Sequence, residues 1–324
     1  MASNSSNSIL NLDISSISNE FLNFRRQVSK RTLLLEFGSS SLIYGEAKYA
    51  GNQIIFNKMN QVEIPESALE QGTPRDPNKM AEFLVDLINE DRIWAHRVAV
   101  VLPPEASISK IIYIPNDIPA DDTREYILRP NSGFQFPIPI LNTDFDLVPL
   151  HFQRNHRVYS MNAYFLSCIP QRLIDNLINT LDLANLELRR VDLSFSCQGR
   201  LAYDKINSLK FNEYLLILEL TAECSHVVIM KKNGICDIKS LATIRDFNFQ
   251  NNIDIDTDSP IEDQIINSSD YLKITELDLK ILLGELKLII REYENKNEKC
   301  TCKSILLSGI NSAHPNIEYL VKDA

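Results

Sequence analysis

The sequence predicts an α/β protein made of two related halves, with a smaller α+β unit inserted after the first set of strands. Two stretches, 32–64 and 213–244, share the order strand, acid, small-residue turn, strand, turn and strand. The acids that close the first strand of each copy are Glu36 and Glu219, 183 residues apart. A long helical pattern and an apolar strand follow the second copy. An internal repeat of this kind indicates a duplicated fold.

Composition restricts the functions that the chain could have. At 324 residues it is long enough for two domains, and its 44% hydrophobic and 23% charged residues are typical of a soluble globular protein. A net charge of −10 argues against nucleic acid as a partner, because that needs clustered Lys and Arg. No apolar run reaches the roughly 18–20 residues of a membrane span. The first residues lack a signal-peptide pattern, so a cytoplasmic location is expected.

Glycine usage argues against a close phosphate-binding turn, and cysteine and histidine usage argues against a metal site. There are only nine glycines, although turns that approach phosphate closely need this residue. The six cysteines are scattered, mostly in apolar strand-like runs, and are expected to be buried reduced thiols. Cys300 and Cys302 form a close pair without a second pair at zinc-type spacing. Three histidines also lie in strand-like runs without paired ligands and are expected to be ordinary ones: His151, His156 and His226.

Five segments are predicted along the chain. Residues 1–30 are a Ser/Asn-rich tail, in which apolar side chains from Leu10 to Phe24 recur at helical spacing. That stripe is either a docking helix or part of a tail that is disordered until it meets a partner. Residues 31–105 form the first half, with a helix that begins at Asp76 and Pro77. The remaining segments are an inserted α+β subdomain at 106–192, a return helix at 193–212 and the second half at 213–324.

The second half has two clear local signals. Asn233-Gly234 separates two apolar runs and predicts a tight hairpin turn. The run "TELDLKILLGELKLIIREYENK" predicts one long helix, and "SILLSG" predicts the strand after it. A helix followed by an apolar strand completes the plan expected of the second copy.

Several segments, taken in order, resemble the PilM family of cytoplasmic, actin-like proteins of type IV pilus assembly, itself similar to the division protein FtsA. They are "EFGSSS", "RVAVVLPPEASISKIIYIP", "FQFPIP" with "TDFDLVPL", the run from "AYFLSCIP" to "RRVDLSFS", "GELKLIIREYE" and "ILLSG". The resemblance extends from about Thr32 to the end of the chain. It implies an actin-like (ribonuclease H-like) duplicated fold with an inserted subdomain.

The resemblance also implies where a nucleotide would bind. Glu36 and Glu219 would hold Mg²⁺ through water, and Glu285 would either approach the nucleoside or lie on a solvated helix face. If the site is retained, its residues are Glu36, Gly38, Ser39, Ser40, Ser41, Glu219, Thr221, Glu285, Ser308 and Gly309.

The sequence departs from the family at most of these places. Glu36 replaces an Asp, which moves the carboxylate out by about 1.5 Å. Ile43 stands where the family has a basic residue, and Thr221 and Ile310 stand where it has glycine. The chain also ends at Ala324, short of the last strand that the family implies. ATP and Mg²⁺ are therefore expected to bind weakly or not at all, with no catalytic residue and no efficient ATPase activity.

Two functions remain as hypotheses. The first is a scaffold that binds the N-terminal cytoplasmic peptide of a PilN-like inner-membrane protein, together with other pilus assembly proteins and further copies of itself. Such a protein would be cytoplasmic and peripheral at the inner membrane, and the sequence does not identify its peptide-binding residues. The alternative is a nucleotide-dependent actin-like switch that still binds Mg-ATP.

Overall fold

The computed structural model describes most of the chain from Lys30 to Lys322. Its residues divide into two compact units, one reaching from the N-terminal side to Leu102 with 175–192 added, the other comprising 103–174 and 193–324. The residues described are 30–38, 41–51, 53–65, 68–132, 134, 139, 142–155, 160–220, 225–241, 276–297, 300–309, 312, 314 and 317–322, of which 131, 151–155, 276–279 and 320 are described by backbone alone.

The first unit is built on a five-stranded sheet in the order β10–β6–β1–β2–β3. Strands β1, β2 and β3 form an antiparallel meander, and β6 runs parallel to β1. Their bounds are β1 Arg31–Phe37, β2 Ser41–Ala50, β3 Gln53–Glu63, β6 Arg97–Leu102 and β10 Glu187–Leu193, and a small hairpin of β4 Leu69–Glu70 and β5 Thr73–Pro74 precedes the helix.

Alternating side chains fix how this sheet faces its core. In β1, Leu33, Leu35 and Phe37 are buried whereas Glu36 is exposed, the period of two that a strand requires. Helix α1, Pro77–Glu90, has an apolar stripe of buried side chains that includes Met80, Leu84 and Ile88. It begins where the sequence predicts, because the Asp76 side chain accepts hydrogen bonds from the N–H groups of Asn78 and Lys79 at 3.0 and 3.3 Å.

A buried carboxylate fixes one end of this unit. Glu46, in β2, is 4% exposed. It accepts hydrogen bonds from Arg31 Nη1 at 2.6 Å, from the backbone N–H of Trp94 at 2.7 Å and from that of Ala95 at 2.9 Å. These donors come from the start of β1 and from the segment before β6, so Glu46 joins three parts of the chain.

The inserted segment forms a three-stranded antiparallel sheet in the order β7–β9–β8, within the second unit. One face of this sheet is covered by the short helix α2, and Ile112, Phe145 and Leu166 belong to the core between them. Helix α3 follows β9, and its residues from Asp175 onward belong to the first unit. The bounds are β7 Ile108–Pro115, α2 Thr123–Leu128, β8 Thr143–Asn155, β9 Ser160–Pro170 and α3 Gln171–Leu183.

The rest of the second unit contains a four-stranded sheet in the order β13–β12–β11–β14. Its core is lined by Tyr214, Leu216 and Leu218 from β11 and by Leu282 and Leu286 from the long helix. The bounds are α4 Ser194–Leu201, α5 Tyr203–Asn207, β11 Glu213–Glu219, β12 His226–Lys231, β13 Gly234–Ser240, α6 Glu276–Lys296, β14 Thr301–Ser308 and α7 Ile317–Lys322.

The two larger sheets have the same topology. In each, three strands form an antiparallel meander, and a later strand lies parallel to the first of them: β6 beside β1, and β14 beside β11. The two acids occupy equivalent places, since Glu36 and Glu219 both lie at the carboxyl end of the first strand. The predicted duplication is therefore confirmed. The boundaries predicted for separate subdomains remain predictions, because the compact division groups the inserted sheet with the second half.

Several local predictions are corrected by the structure. The two-residue turn between β12 and β13 is Lys232–Asn233, one residue earlier than predicted, and Gly234 follows it with a φ of +120°. Of the cysteines, Cys168 is buried, whereas the other four described ones are only half-buried: Cys197, Cys236, Cys300 and Cys302. The tail, Cys224, His156 and the side chain of His151 lie outside the described residues.

Candidate functional site

The serine turn of the first unit is the tip of the β1–β2 hairpin. The backbone N–H of Gly38 donates to the carbonyl oxygen of Ser41 at 2.8 Å and closes the turn around Ser39 and Ser40, which lie outside the described residues. A Cβ on Gly38 would be 3.2 Å from that same oxygen. Glycine is therefore favoured here by the tightness of the turn itself.

The bonding of this turn limits what it can offer a phosphate. The Gly38 N–H is already committed to Ser41, and the Ser41 hydroxyl accepts from Gln61 Nε2 at 3.1 Å. Glu36 is exposed, and it pairs with Ile43 on one side and with Val101 on the other. Both strand neighbours of Glu36 are therefore apolar residues.

In the second unit the ends of two parallel strands bring three predicted residues together. Glu219 and Ser308 are paired across β11 and β14, and the Leu220 N–H donates to the Ser308 carbonyl oxygen at 2.9 Å. Gly309 follows with a φ of +85°. A Cβ at Gly309 would be 2.4 Å from the Leu220 carbonyl oxygen, so only glycine fits against this loop.

Glu219 is the central group of this strand-end cluster. It is 7% exposed, and it accepts a hydrogen bond from Ser194 Oγ at 3.1 Å. Burial raises the pKa of the Glu219 carboxyl above its usual value, whereas hydrogen bonds from Gln198 and Ser194 act in the opposite direction. Gln198 also donates through Nε2 to Ser308 Oγ at 3.1 Å, so helix α4 is tied to both strands.

Several buried polar atoms around Glu219 have no hydrogen-bond partner among the described residues. They are Glu105 Oε2, Gln198 Oε1, Ser225 Oγ and His226 Nδ1. His226 is 4% exposed and lies directly opposite Glu219 across β11 and β12. Buried polar groups are nearly always satisfied in native proteins, so this set indicates a place for ordered water or for a polar ligand.

The chemistry of these atoms favours water or a hydrated cation over a phosphate group. Glu105, Glu219 and the Gln198 carbonyl are acceptors, and phosphate oxygens need donors. The loop that would supply backbone N–H groups, 221–224 with Thr221, lies outside the described residues. Among the residues that the structure describes, no three His, Cys, Asp or Glu side chains are placed together as metal ligands.

The other predicted site residues are distributed as follows. Glu36, Gly38 and Ser41 lie in the first unit, whereas Glu219, Ser308 and Gly309 lie in the second. Glu285 is half-buried on α6.

Sequence reasoning missed Ser194, Gln198, Glu105 and the importance of His226. The one available signal was that His226 follows Glu219 by seven residues, a spacing that places them opposite each other in a hairpin. The other three reach Glu219 through tertiary structure.

The comparisons with known proteins concern the whole chain. No family model matches it, and no curated protein matches its sequence. Among solved structures, a chain of a PilM-PilN type IV pilus biogenesis complex is similar with a TM-score of 0.65 and 18% identity, covering 90% of this chain and 85% of that one.

Two further structures are more distant. An ethanolamine utilization protein EutJ from Carboxydothermus hydrogenoformans has a TM-score of 0.46 and 9% identity, over 91% of this chain and 82% of that one. A Bacteroides thetaiotaomicron protein with an actin-like ATPase fold has a TM-score of 0.45 and 8% identity, over 93% and 98%. With the topology of the two sheets, the likeness to the PilM-PilN complex shows the fold: the chain has the actin-like fold that its sequence predicts.

Proposed function

We propose that this chain is a cytoplasmic scaffold of type IV pilus assembly that binds the N-terminal cytoplasmic peptide of a PilN-like inner-membrane protein. The observation that carries the proposal is the likeness, over 90% of the chain, to a structure whose complex contains PilM and PilN. Binding an extended peptide requires no catalytic group, so it is compatible with nucleotide loops that have lost glycines and a cation.

The inserted sheet offers a suitable surface for an extended peptide. Strand β8 is at one edge of the order β7–β9–β8, and a peptide can add to an edge strand. Two backbone groups of β8 already have partners, since the Phe145 carbonyl oxygen accepts from Arg124 at 2.8 Å and the Leu147 N–H donates to the Asp146 side chain at 2.9 Å, so the peptide would have to replace these bonds or bind beside them. Along β8, Asp144, Asp146 and Val148 are exposed, while Phe145 and Leu147 belong to or pack against the core of the subdomain. We assign the peptide to this edge of the sheet.

Charge supports this assignment. Cytoplasmic segments that flank a membrane-spanning helix carry an excess of Lys and Arg. Asp144 and Asp146 would lie beside such a segment, and Val148 would supply an apolar contact. Of the helices that the structure describes, none has the length and hydropathy needed to cross a bilayer. In this proposal the partner attaches the chain to the inner membrane, and the chain also contacts other pilus proteins or further copies of itself.

A nucleotide-dependent switch is the second candidate. The observation in its favour is the set of unpartnered buried polar atoms around Glu219. If Mg-ATP binds there, Glu219 and Glu105 would face the hydrated cation, and Gln198 and His226 would orient water. The Mg²⁺ ion would supply charge neutralisation for the phosphates.

Fluorescence anisotropy tests the scaffold directly. The labelled probe is the N-terminal cytoplasmic peptide of the PilN-like protein from the same organism, with a scrambled peptide as control. We expect equal affinity with and without Mg-ATP. The double variant Asp144→Lys/Asp146→Lys should weaken binding at least tenfold. The matched variant Asp117→Lys/Asp204→Lys, which changes two exposed acids of the same unit, should bind within twofold of the natural chain.

The other outcomes separate the candidates. Binding that appears only with Mg-ATP would support the switch. Tight binding that is insensitive to the β8 substitutions would indicate that the peptide binds at a different surface of the protein. Absence of binding in both states would overturn the scaffold proposal.

A further inference from the structure

The second unit contains a cavity of about 690 Å³ that none of the sites above uses. This volume lies within the roughly 300–1,000 Å³ of small-molecule pockets. Its walls come from β7, the segment before β11, the β12–β13 hairpin and the end of α6. The lining includes four lysines, Lys210, Lys231, Lys232 and Lys296, and the aromatic residues Phe211 and Tyr293.

The cavity is far from the strand-end cluster. It is lined by Lys210 and Phe211, just before β11 begins, whereas Glu219 lies at the other end of that strand. Seven residues of extended chain separate the two ends by about 20 Å. A ligand in the cavity would therefore not contact Glu219 or the Gly309 loop.

The charge of the lining is opposite to that of the protein. Four lysines and one aspartate, Asp237, face the cavity, a formal charge of +3 in a chain of net charge −10. The Lys296 ammonium group also pairs with Glu292 at 2.5 Å and remains largely exposed. Clustered cations around a concavity attract anions, because low-dielectric walls concentrate their field.

The floor of the cavity is neutral and aromatic. Tyr293 is 8% exposed and packs edge-to-face on Tyr214, with ring centroids 5.0 Å apart. Burial raises the pKa values of the Tyr293 hydroxyl and the Cys236 thiol, so both stay uncharged at neutral pH. The Lys231 ammonium group lies 5.5 Å from the centre of the Tyr293 ring and 3.0 Å from Cys300 Sγ, which places one cation close to this floor.

The rim carries an exposed aromatic ring. The Phe211 side chain is 91% exposed. Covering such a large apolar group would lower the free energy, because apolar area would be removed from water. A flat ligand ring could stack on it, since offset stacking between aromatic groups is favourable. Tyr113 of β7 lines the cavity as well.

We infer that this cavity binds a small organic anion that carries an aromatic ring. The ring lies over the Tyr293 floor and against Phe211, and the anionic group meets the ammonium groups of Lys231, Lys232 and Lys296. A cationic rim over a neutral aromatic floor selects against both simple inorganic anions and uncharged aromatic molecules.

A matched pair of dyes tests this inference with the full chain. Anilinonaphthalene sulfonate is an aromatic anion, and phenylnaphthylamine is the same ring system without the sulfonate. We expect the anion to bind at least tenfold more tightly in a fluorescence titration. The double variant Lys232→Glu/Lys296→Glu should weaken binding of the anionic dye at least tenfold. Its affinity for the neutral dye should change less than twofold. Lys205→Glu/Lys303→Glu makes the same change of charge at exposed lysines outside the cavity and should leave both affinities unchanged.

A second readout locates the bound dye. Anilinonaphthalene sulfonate should slow the alkylation of Cys236, followed by mass spectrometry, and leave that of Cys197 on α4 unchanged. Equal affinity of the two dyes, equal effects of the two double variants, or an unchanged alkylation rate at Cys236 would each overturn the proposal.

Discussion

Gly309 is packed against the backbone of Leu220 so closely that an added Cβ would lie 2.4 Å from the Leu220 carbonyl oxygen. The contact joins the loops that follow β11 and β14, two adjacent parallel strands of the second sheet. Both the space and the φ of +85° require glycine.

Gly309→Ala should therefore destabilise the second unit. We expect the free energy of unfolding to fall by about 2 kcal/mol, from backbone strain and from displacement of the Leu220 loop. The measurement is urea denaturation followed by circular dichroism. Gly284→Ala is the matched control, because this glycine lies in α6 with no atom within 4 Å of the added Cβ, and it should be neutral or slightly stabilising. Equal effects of the two substitutions would contradict the role given to Gly309.

Glu46→Ala should destabilise the first unit more strongly. It leaves the Arg31 guanidinium and the N–H groups of Trp94 and Ala95 without their acceptor, at a cost of about 3 kcal/mol. Trp94 is the single tryptophan of the chain, so its fluorescence reports unfolding of this unit. Glu82→Ala, at an exposed position of α1, is the control and should cost less than about 0.5 kcal/mol. A loss at Glu46 as small as that at Glu82 would show that its hydrogen bonds contribute little.

The stability contributed at Glu219 should decrease as the pH rises. Its pKa is raised in the folded protein, so between its usual value of 4.5 and the higher folded value the folded state binds more protons than the unfolded state. In that window stability falls with increasing pH and then levels off. Glu105 and His226, which also act on this carboxyl, will modify the curve. Glu219→Gln should remove the fall, so the variant should gain stability relative to the natural chain as the pH is raised from 4. If the difference in free energy of unfolding between Glu219→Gln and the natural chain is the same at pH 4 and at pH 8, a buried carboxyl with a raised pKa is ruled out.

Nucleotide affinity should be low. Ile43, Thr221 and Ile310 stand where the PilM family has a cation and two glycines, and the Gly38 N–H is used within its own turn. Isothermal titration calorimetry with Mg-ATP should give a dissociation constant above about 100 μM or no heat of binding. Submicromolar affinity, or hydrolysis that Glu219→Ala abolishes, would favour the nucleotide-dependent switch over the scaffold.

Removal of residues 1–28 should leave the folded body intact. A segment of this Ser/Asn-rich composition can bury too little apolar area to offset the conformational entropy that it would lose on ordering. A chain that starts at Ser29 should keep its thermal midpoint within about 4 °C of the full chain. A larger drop would indicate that the apolar stripe from Leu10 to Phe24 packs on the body.

The sequence predicts the elements of this fold well because their signals are local. The apolar run of β1, the Asp76 and Pro77 start of α1 and the apolar run of β14 each depend on a few consecutive residues. The hairpin after β12 shows the limit of such signals. Glycine is needed there for its positive φ, but it follows the turn at Gly234 instead of forming part of it.

The polar groups that matter most are fixed by tertiary structure and could not be predicted in this way. Glu46 looks like an ordinary solvent-facing acid in β2 until Trp94 and Ala95, nearly fifty residues later, are brought to it. Gln198 reaches Ser308 across 110 residues of sequence. The cationic cavity likewise combines four separate segments, none of which carries a recognisable motif alone.

Strand β3 has a consequence for how the isolated protein behaves in solution. It lies at the edge of the five-stranded sheet, and Ile54, Phe56 and Met59 on it are each more than half exposed. Open backbone groups beside apolar side chains favour antiparallel pairing with the same strand of another molecule, which would merge two five-stranded sheets into one of ten. Lys58, held by Asp91 at 2.6 Å, places a charge in the middle of this edge. Colloidal stability at high concentration therefore depends on whether this edge is capped, and Phe56→Lys is the substitution that would improve it.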